Sequence, residues 1–383
     1  MTEQIPLARP DLGEREEELV LDVLRSGRLS LGSRLGEFEE AFAAWLGVDD
    51  SVAVSSGTAG LHLAVRALGW SEGDEVLTTP LSFVASSNCL LYENARPIFC
   101  DVDPVTLDID PAAAEDAAGE GTAGILPVHI FGYPADLPAL RRIAESLGVP
   151  MLEDACQAPG ALDSEGRRVG TTGNPASFAF YANKQMTTGE GGVLIPADSA
   201  MAERMRSERN QGRDPDMSVV DHTTIGFNYR MTDIQAAIGI AQVERLDGLL
   251  ASRAAVAAAY TERLSAIGTP AGGGDPRGLV LPCRDRGEAE RSWFVYPVQV
   301  PESVAKEDII VSLGEQGIQS KAYLPCIHTM PPYRERFGFK GGEFPVAESV
   351  SGRSIALPFF ASMSEEQVER VCKALGGALE GAA

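Results

Sequence analysis

The chain has 383 residues, 44% hydrophobic and 23% charged, an ordinary balance for a soluble globular protein and long enough for a large domain plus a smaller one. A formal net charge of -23 argues against nucleic acid or an anionic membrane surface as partner, and an anionic small molecule would need a local positive site. Cys89, Cys100, Cys156, Cys283, Cys326 and Cys372 show neither CxxC nor zinc spacing, no run reaches the roughly 18 apolar residues of a membrane helix, and the opening MTEQIPLARPDL lacks the apolar stretch of a signal peptide, so the expectation is a cytoplasmic protein with no metal and no membrane contact.

Two helical stretches come first, Arg15–Leu24 and Leu35–Leu46. From about Ser51 to Ile195 short apolar runs (VAVS, DEVLTT, PIFCDVD, GILPVHI, VPMLED) alternate with helical patterns at His62–Leu68, Phe83–Tyr92 and Leu137–Leu147. Such alternation predicts an α/β domain with a mostly parallel central sheet flanked by helices, with ligands beyond the carboxyl ends of the strands. Thr232 forms a capping box with Gln235 and opens a helix whose apolar face is Ile234, Ala237, Ile238 and Ala241. A loose stretch, GTPAGGGDPRG, follows, and RSWFVYPVQV, KEDIIVSLGEQG and EEQVERVCKALGG predict a smaller α+β domain. The expected division is 1–245 for the large domain, N-terminal helical segment included, and 246–383 for the small one.

Lys184 is the only lysine in the first 305 residues, in a stretch where Arg supplies every other positive side chain. An amine can lose its proton and attack a carbonyl, which a guanidinium cannot. It sits in SFAFYANKQMTTGEGG, where an alternating strand runs into a glycine turn, a place also open to a plain surface lysine. SSGTAGLHLA follows a short strand and opens a helix with Leu61, Ala64, Val65 and Leu68 on one face. The N–H groups of Gly57, Thr58 and Ala59 would form an anion cradle there, or merely start the helix. No lysine follows as in a nucleotide-triphosphate loop. In LEDACQAPGA, Asp154 ends an apolar strand, where a carboxylate needs a cationic partner such as a protonated pyridine nitrogen, unless it caps the next turn or pairs with an arginine. Lysine, cradle and aspartate match the aldehyde, phosphate and ring nitrogen of pyridoxal 5′-phosphate (PLP). Phe83, in PLSFVASSN, could cover the ring face or pack as a core residue.

With these motifs, and with HIFGYPAD and GFNYRMTDIQAAIGIAQ, the chain resembles the DegT/DnrJ/EryC1/StrS family of sugar aminotransferases, fold-type-I PLP enzymes, from about Leu7 to Ala374. The resemblance implies that Lys184 is the lysine that binds the cofactor covalently, Asp154 the partner of the pyridine nitrogen and Gln157 the amide near the ring hydroxyl. It further implies that Gly57 and Thr58 hold the phosphate, that Phe83 stacks, and that Asn228 reaches the phosphate of the neighbouring subunit of a homodimer. One position departs from the pattern: Ala179 stands five residues before the lysine, where the family often has a phosphate-binding serine. Ser177 shares that strand face but lies about 6–7 Å away along it.

The resemblance implies amino transfer from L-glutamate to a nucleotide-linked keto-sugar, a 4-keto-6-deoxy sugar first. Its diphosphate would be met by Arg230, Arg213, Lys321 or Tyr323, and His328 in YLPCIHTMPPYRERFGF matches a histidine near the site in relatives. A keto-cyclitol aminotransferase shares every motif. A sugar dehydratase would carry histidine at position 184, and a regulatory relative would not need Lys184, Asp154 and Gln157 together.

Overall fold

The computed structural model describes residues 4–214, 221–274 and 277–382. In chain order the first part holds α1 (Glu14–Ser26), α2 (Ser33–Leu46), β1 (Val52–Val54), α3 (Gly57–Leu68), β2 (Glu75–Thr78), α4 (Ala85–Tyr92), β3 (Arg96–Phe99), α5 (Pro111–Ala117), β4 (Thr122–Leu126) and α6 (Leu137–Leu147). It continues with β5 (Glu153–Asp154), β6 (Ala176–Ala179), β7 (Gly192–Ile195), α7 (Ser199–Arg209) and α8 (Asp233–Glu244). Strand order is β1-β7-β6-β5, joined by parallel bridges of Ile125 to Met151 and of Val128 to Asp154 to a second group, β3-β2-β4. Only β7 runs against its neighbours; β5, β6, β4, β2 and β3 pair in parallel. Their carboxyl ends therefore share one edge, as the alternating pattern predicted.

Strand β6 shows why. Its side chains alternate, so Phe178 faces one side of the sheet and Ser177 and Ala179 the other. Phe178, with Phe180 just beyond the strand, packs edge-on against Phe42 of α2 at centroid distances of 5.3 and 5.4 Å, and Phe180 meets Phe38 at 5.8 Å. On the opposite face α3 lies so close that only small residues fit. A Cβ on Gly57 would come 2.6 Å from the Cβ of Ala179, and one on Gly192 would come 2.9 Å from the amide nitrogen of Gly57. The strand that leads to Lys184 is thus fixed from both sides.

Local signals set several boundaries. Asp136 accepts the N–H of Ala139 and starts α6 where the sequence placed it, and Thr232 and Gln235 form the predicted capping box on α8. Other expectations shift. Helix α3 begins at Gly57, where the SSGTAG motif opened it and a turn before the apolar pattern at His62, with Ser56 as its cap, and α4 begins at Ala85, which leaves Phe83 in the preceding loop. On α8 the buried residues are Asp233, Ala236, Ala237, Gly239, Ile240, Ala241, Gln242 and Val243, whereas Ile234 and Ile238 are only partly buried. This helix packs on both α1 and α2, so its covered face is wider than one stripe.

The second part comprises α9 (Leu246–Leu264), β8 (Gly268–Pro270), β9 (Leu279–Leu281), β10 (Tyr296–Gln299), α10 (Lys306–Glu315), β11 (Lys321–Ala322), α11 (Pro331–Phe337), α12 (Pro345–Arg353), β12 (Ser354–Leu357) and α13 (Glu365–Ala382). Its sheet runs β11-β12-β10-β9-β8. The stretch expected to be loose contributes β8, paired with β9; residues 275 and 276 of it lie outside the described set. Tyr260, Tyr296 and Phe359 lie in a separate core under α9, α10 and α13, and Ile5 joins that core through a bridge to Ile318.

Candidate active site

Three strand ends supply the floor. After β1, Ser56 caps α3 by taking the N–H of Ala59 at 3.1 Å. The cradle expected from three N–H groups is therefore made of two: among the described residues those of Gly57 and Thr58 have no protein acceptor, and the helix dipole stands behind them. Ser177 does not replace the hydroxyl that Ala179 lacks. It is fully buried, 3.4 Å from the carbonyl oxygen of Gly57, and its Oγ would lie 2.6 Å from a Cβ on Gly60.

Asp154 ends β5 with 4% of its surface exposed. No arginine bonds it among the described residues. One oxygen, Oδ1, accepts the N–H of Cys156 at 3.1 Å, which is the turn-capping alternative in part, and Oδ2 accepts the hydroxyl of Ser86 at 2.6 Å. Gln157 is buried, its amide oxygen fixed by the N–H of Phe131 at 3.0 Å, so its NH2 remains as donor. That approach needs Gly132, whose φ of 85° and close passage by Ser292 admit no side chain: a Cβ would fall 1.6 Å from the Ser292 carbonyl oxygen.

Lys184 lies in the bend after β6, its N–H bonded to Tyr181 O at 3.0 Å and its Nζ 4.0 Å from the ring centre of Phe294. Burial pushes the amine down to about 8, the negative charge of Asp154 pulls it back in part, and the charge of Arg253 acts with burial. Burial and the nearby Asp154 also push the Cys156 thiol well up, so it stays neutral and the anion facing the amine is Asp154. Arg253, on α9, is 3% exposed and has no acidic partner among the described residues. It donates instead to carbonyl oxygens of Lys184 at 3.0 Å and Phe294 at 3.1 Å, while Gln185 donates to Gln157 O at 2.7 Å and Ser292 O at 3.1 Å. The lysine loop is thereby clamped to the second part of the chain.

The remaining expected residues divide. Phe83 stands 59% exposed beside this floor, in the same turn as Ser86, whose N–H bonds Phe83 O at 3.1 Å. Tyr323 stacks obliquely on Phe131 at 5.8 Å and Phe294 at 6.4 Å, which brings it to the wall by Lys184; burial pushes its hydroxyl up to about 12. Asn228 is exposed, next to Tyr229, whose carbonyl accepts the N–H of Ser55 at 2.7 Å. Arg230 bonds Asn210 at 3.1 Å, Arg213 sits in the turn beyond it, and Lys321 is exposed on the edge strand β11. His328 is 0% exposed, bonds Glu348 at 3.0 Å and packs against Phe344 at 4.8 Å and Phe339 at 5.8 Å, so its ring faces serve packing, while its Nδ1 has no partner among the described residues. His129 is structural too, its Nδ1 accepting the N–H of Ala135 at 3.0 Å and its Nε2 facing Glu153 at 3.3 Å.

Four residues here escape sequence reading: Ser86, Phe294, Arg253 and Gln185. Spacing gives only faint signals, a serine one turn after Ser82 and an arginine in the alanine-rich ASRAAVAAAY.

This arrangement fits PLP. Two unused N–H groups at a helix start suit a phosphate, the desolvated amine suits an aldehyde, and a buried carboxylate to which no arginine bonds among the described residues suits a pyridinium. The DegT/DnrJ/EryC1/StrS aminotransferase family matches residues 10–376. GDP-perosamine synthase of Caulobacter vibrioides is 35% identical, covering 97% of each chain. DesV of S. venezuelae, solved in complex with a ketimine intermediate, superposes with a TM-score of 0.89 at 31% identity over 100% of this chain and 99% of that one. The PLP form of Spr1654 from Streptococcus pneumoniae gives 0.90 at 25% identity, covering 100% of both. The chain belongs to the DegT/DnrJ/EryC1/StrS aminotransferase family and is a PLP-dependent aminotransferase of fold type I.

Proposed function

We propose that the enzyme moves an amino group from L-glutamate to a nucleotide-linked keto-sugar, a 4-keto-6-deoxy sugar first. The observation that carries the chemistry is the placement of Lys184: a buried amine whose Nζ lies 4.0 Å from the ring centre of Phe294, pushed down to about 8 by burial and held back in part by the charge of Asp154. GDP-perosamine synthase, a relative named for a nucleotide-linked product, supports the substrate class.

The cofactor, when bound, supplies an aldehyde that carries the amino group and a ring that takes up an electron pair. Lys184 would hold it covalently and, once released as a neutral amine, would take the proton from the substrate carbon and return it. Gly57 and Thr58 would bind the phosphate through their N–H groups, and Asp154 would hold the proton on the ring nitrogen. The Gln157 NH2 would bond the ring hydroxyl and Phe83 would cover one ring face. Residues 1–245 would hold the cofactor in this reading, while residues 246–383 would wall the substrate side through Phe294 and Tyr323, with Arg230 meeting the diphosphate.

A homodimer belongs to the same proposal. Ile225, 80% exposed in the single chain, lies beside Asn228, which would serve the partner's cofactor phosphate. The test is product mass from a panel of nucleotide-linked keto-sugars and keto-cyclitols with glutamate. Amine formed only on a cyclitol would overturn the sugar assignment.

A further inference from the structure

Ser86 stands in the first turn of α4, 1% exposed. A hydroxyl in a helix usually bonds the carbonyl of its own preceding turn. This one reaches instead to Asp154 Oδ2 at 2.6 Å, and the hydroxyl of Ser82, also 1% exposed, lies 2.8 Å behind it. The direction of the chain follows from valence. An ionised carboxylate only accepts, so the Ser86 hydroxyl donates its hydrogen bond to Asp154, and the contact with Ser82 is then a bond only if Ser82 donates. With the Cys156 N–H on Oδ1, each carboxylate oxygen carries one donor from the protein, and the group cannot turn without breaking a bond. Hydrogen bonds to a charged acceptor are among the stronger ones, and a polarised chain strengthens them further.

We infer that Ser86, backed by Ser82, is a positioning residue for the reaction: it holds the Asp154 carboxylate charged and in one orientation as the partner of the cofactor's ring nitrogen. The inference rests on the reading of Asp154 given above. It also ties the two services of one turn together, since Ser82 and Ser86 flank the exposed Phe83, and any shift of that turn would disturb ring face and ring nitrogen alike.

The test uses holoenzyme carrying cofactor with a nitrogen-15 label in the ring, observed by NMR at neutral pH, alongside steady-state kinetics. Ser86→Ala should move the ring-nitrogen resonance from the protonated toward the unprotonated position and lower kcat about tenfold, with KM for the donor changed less than about twofold. Ser82→Ala should give a smaller shift of the same sign, and Ser86→Thr, which keeps the hydroxyl, should restore both readings. Were Ser86→Ala not to fold, Ser86→Cys, a weaker donor of similar size, should show the shift in its place. An unmoved resonance in the Ser86 and Ser82 variants, with Asp154→Asn still moving it, overturns the inference and leaves Asp154 in place. A resonance unmoved in Asp154→Asn as well overturns the reading of Asp154 and the inference with it.

Discussion

The amine of Lys184 should titrate far below an ordinary lysine in the cofactor-free enzyme. The perturbation is pH itself. Burial takes the ammonium out of water, the Asp154 carboxylate repays only part of that, and the amine comes down from 10.5 to about 8. At pH 7 a group at about 8 is neutral in about one molecule in eleven, against about one in three thousand at 10.5, so the reactive fraction rises about 300-fold. The sign is that of a lysine with a depressed pKa: the charged form is disfavoured, and reactivity should climb through pH 8 and level off where an exposed lysine is only beginning to react. Trace acylation with isotopic acetic anhydride measures this, read by mass spectrometry on the peptide bearing Lys184 with free α-N-acetyl-lysine in the same tube. A midpoint at or above about 10 would refute the argument, because it would mean that water or an added anion solvates the amine.

Lys184→Arg should abolish borohydride-fixed cofactor on that peptide and cost turnover about 10²–10⁴-fold from the lost base alone; retained turnover would remove Lys184 from the chemistry. Gly57→Ala places a Cβ 2.6 Å from Ala179 and 2.9 Å from Cys156 Sγ, which should cost about 1–3 kcal/mol in a thermal melt and weaken cofactor binding in an absorbance titration. Gly132→Ala, with its Cβ 1.6 Å from the Ser292 carbonyl oxygen, should cost more, above about 3 kcal/mol, and an unchanged melting temperature would contradict the close approach described here. His328→Ala should lower stability by about 1–3 kcal/mol, since Glu348 loses its buried partner, while KM for the keto substrate stays put; a selective rise in KM would return His328 to the substrate site.

What could be read from the chain, and what could not, follows the range of the forces involved. Alternation in SFAF and the runs before it is a local property of a pleated strand, so the sheet, its parallel sense and the strand ends at Asp154 and before Lys184 were legible. Detail went wrong where one side chain decides it: the hydroxyl of Ser56 caps α3 and so removes Ala59 from the cradle. The polar layer behind the site was not legible at all. Ser86 meets Asp154 across 68 residues, and Arg253 lies on a helix that reads as alanine with scattered charge until its guanidinium is seen buried against carbonyl oxygens. His328, a histidine in a suggestive motif, is enclosed by its partner Glu348 and by aromatic neighbours that the motif does not show. Each failure is a hydrogen bond between distant segments, and such bonds leave no period in a sequence. They are also what turns a lysine and an aspartate into a site, because a buried amine or carboxylate works only when the groups around it hold it still and settle its charge. In the proposed site the strand-end residues Lys184 and Asp154 are therefore announced by the sequence, while the partners that hold them are brought to them only by the folded molecule.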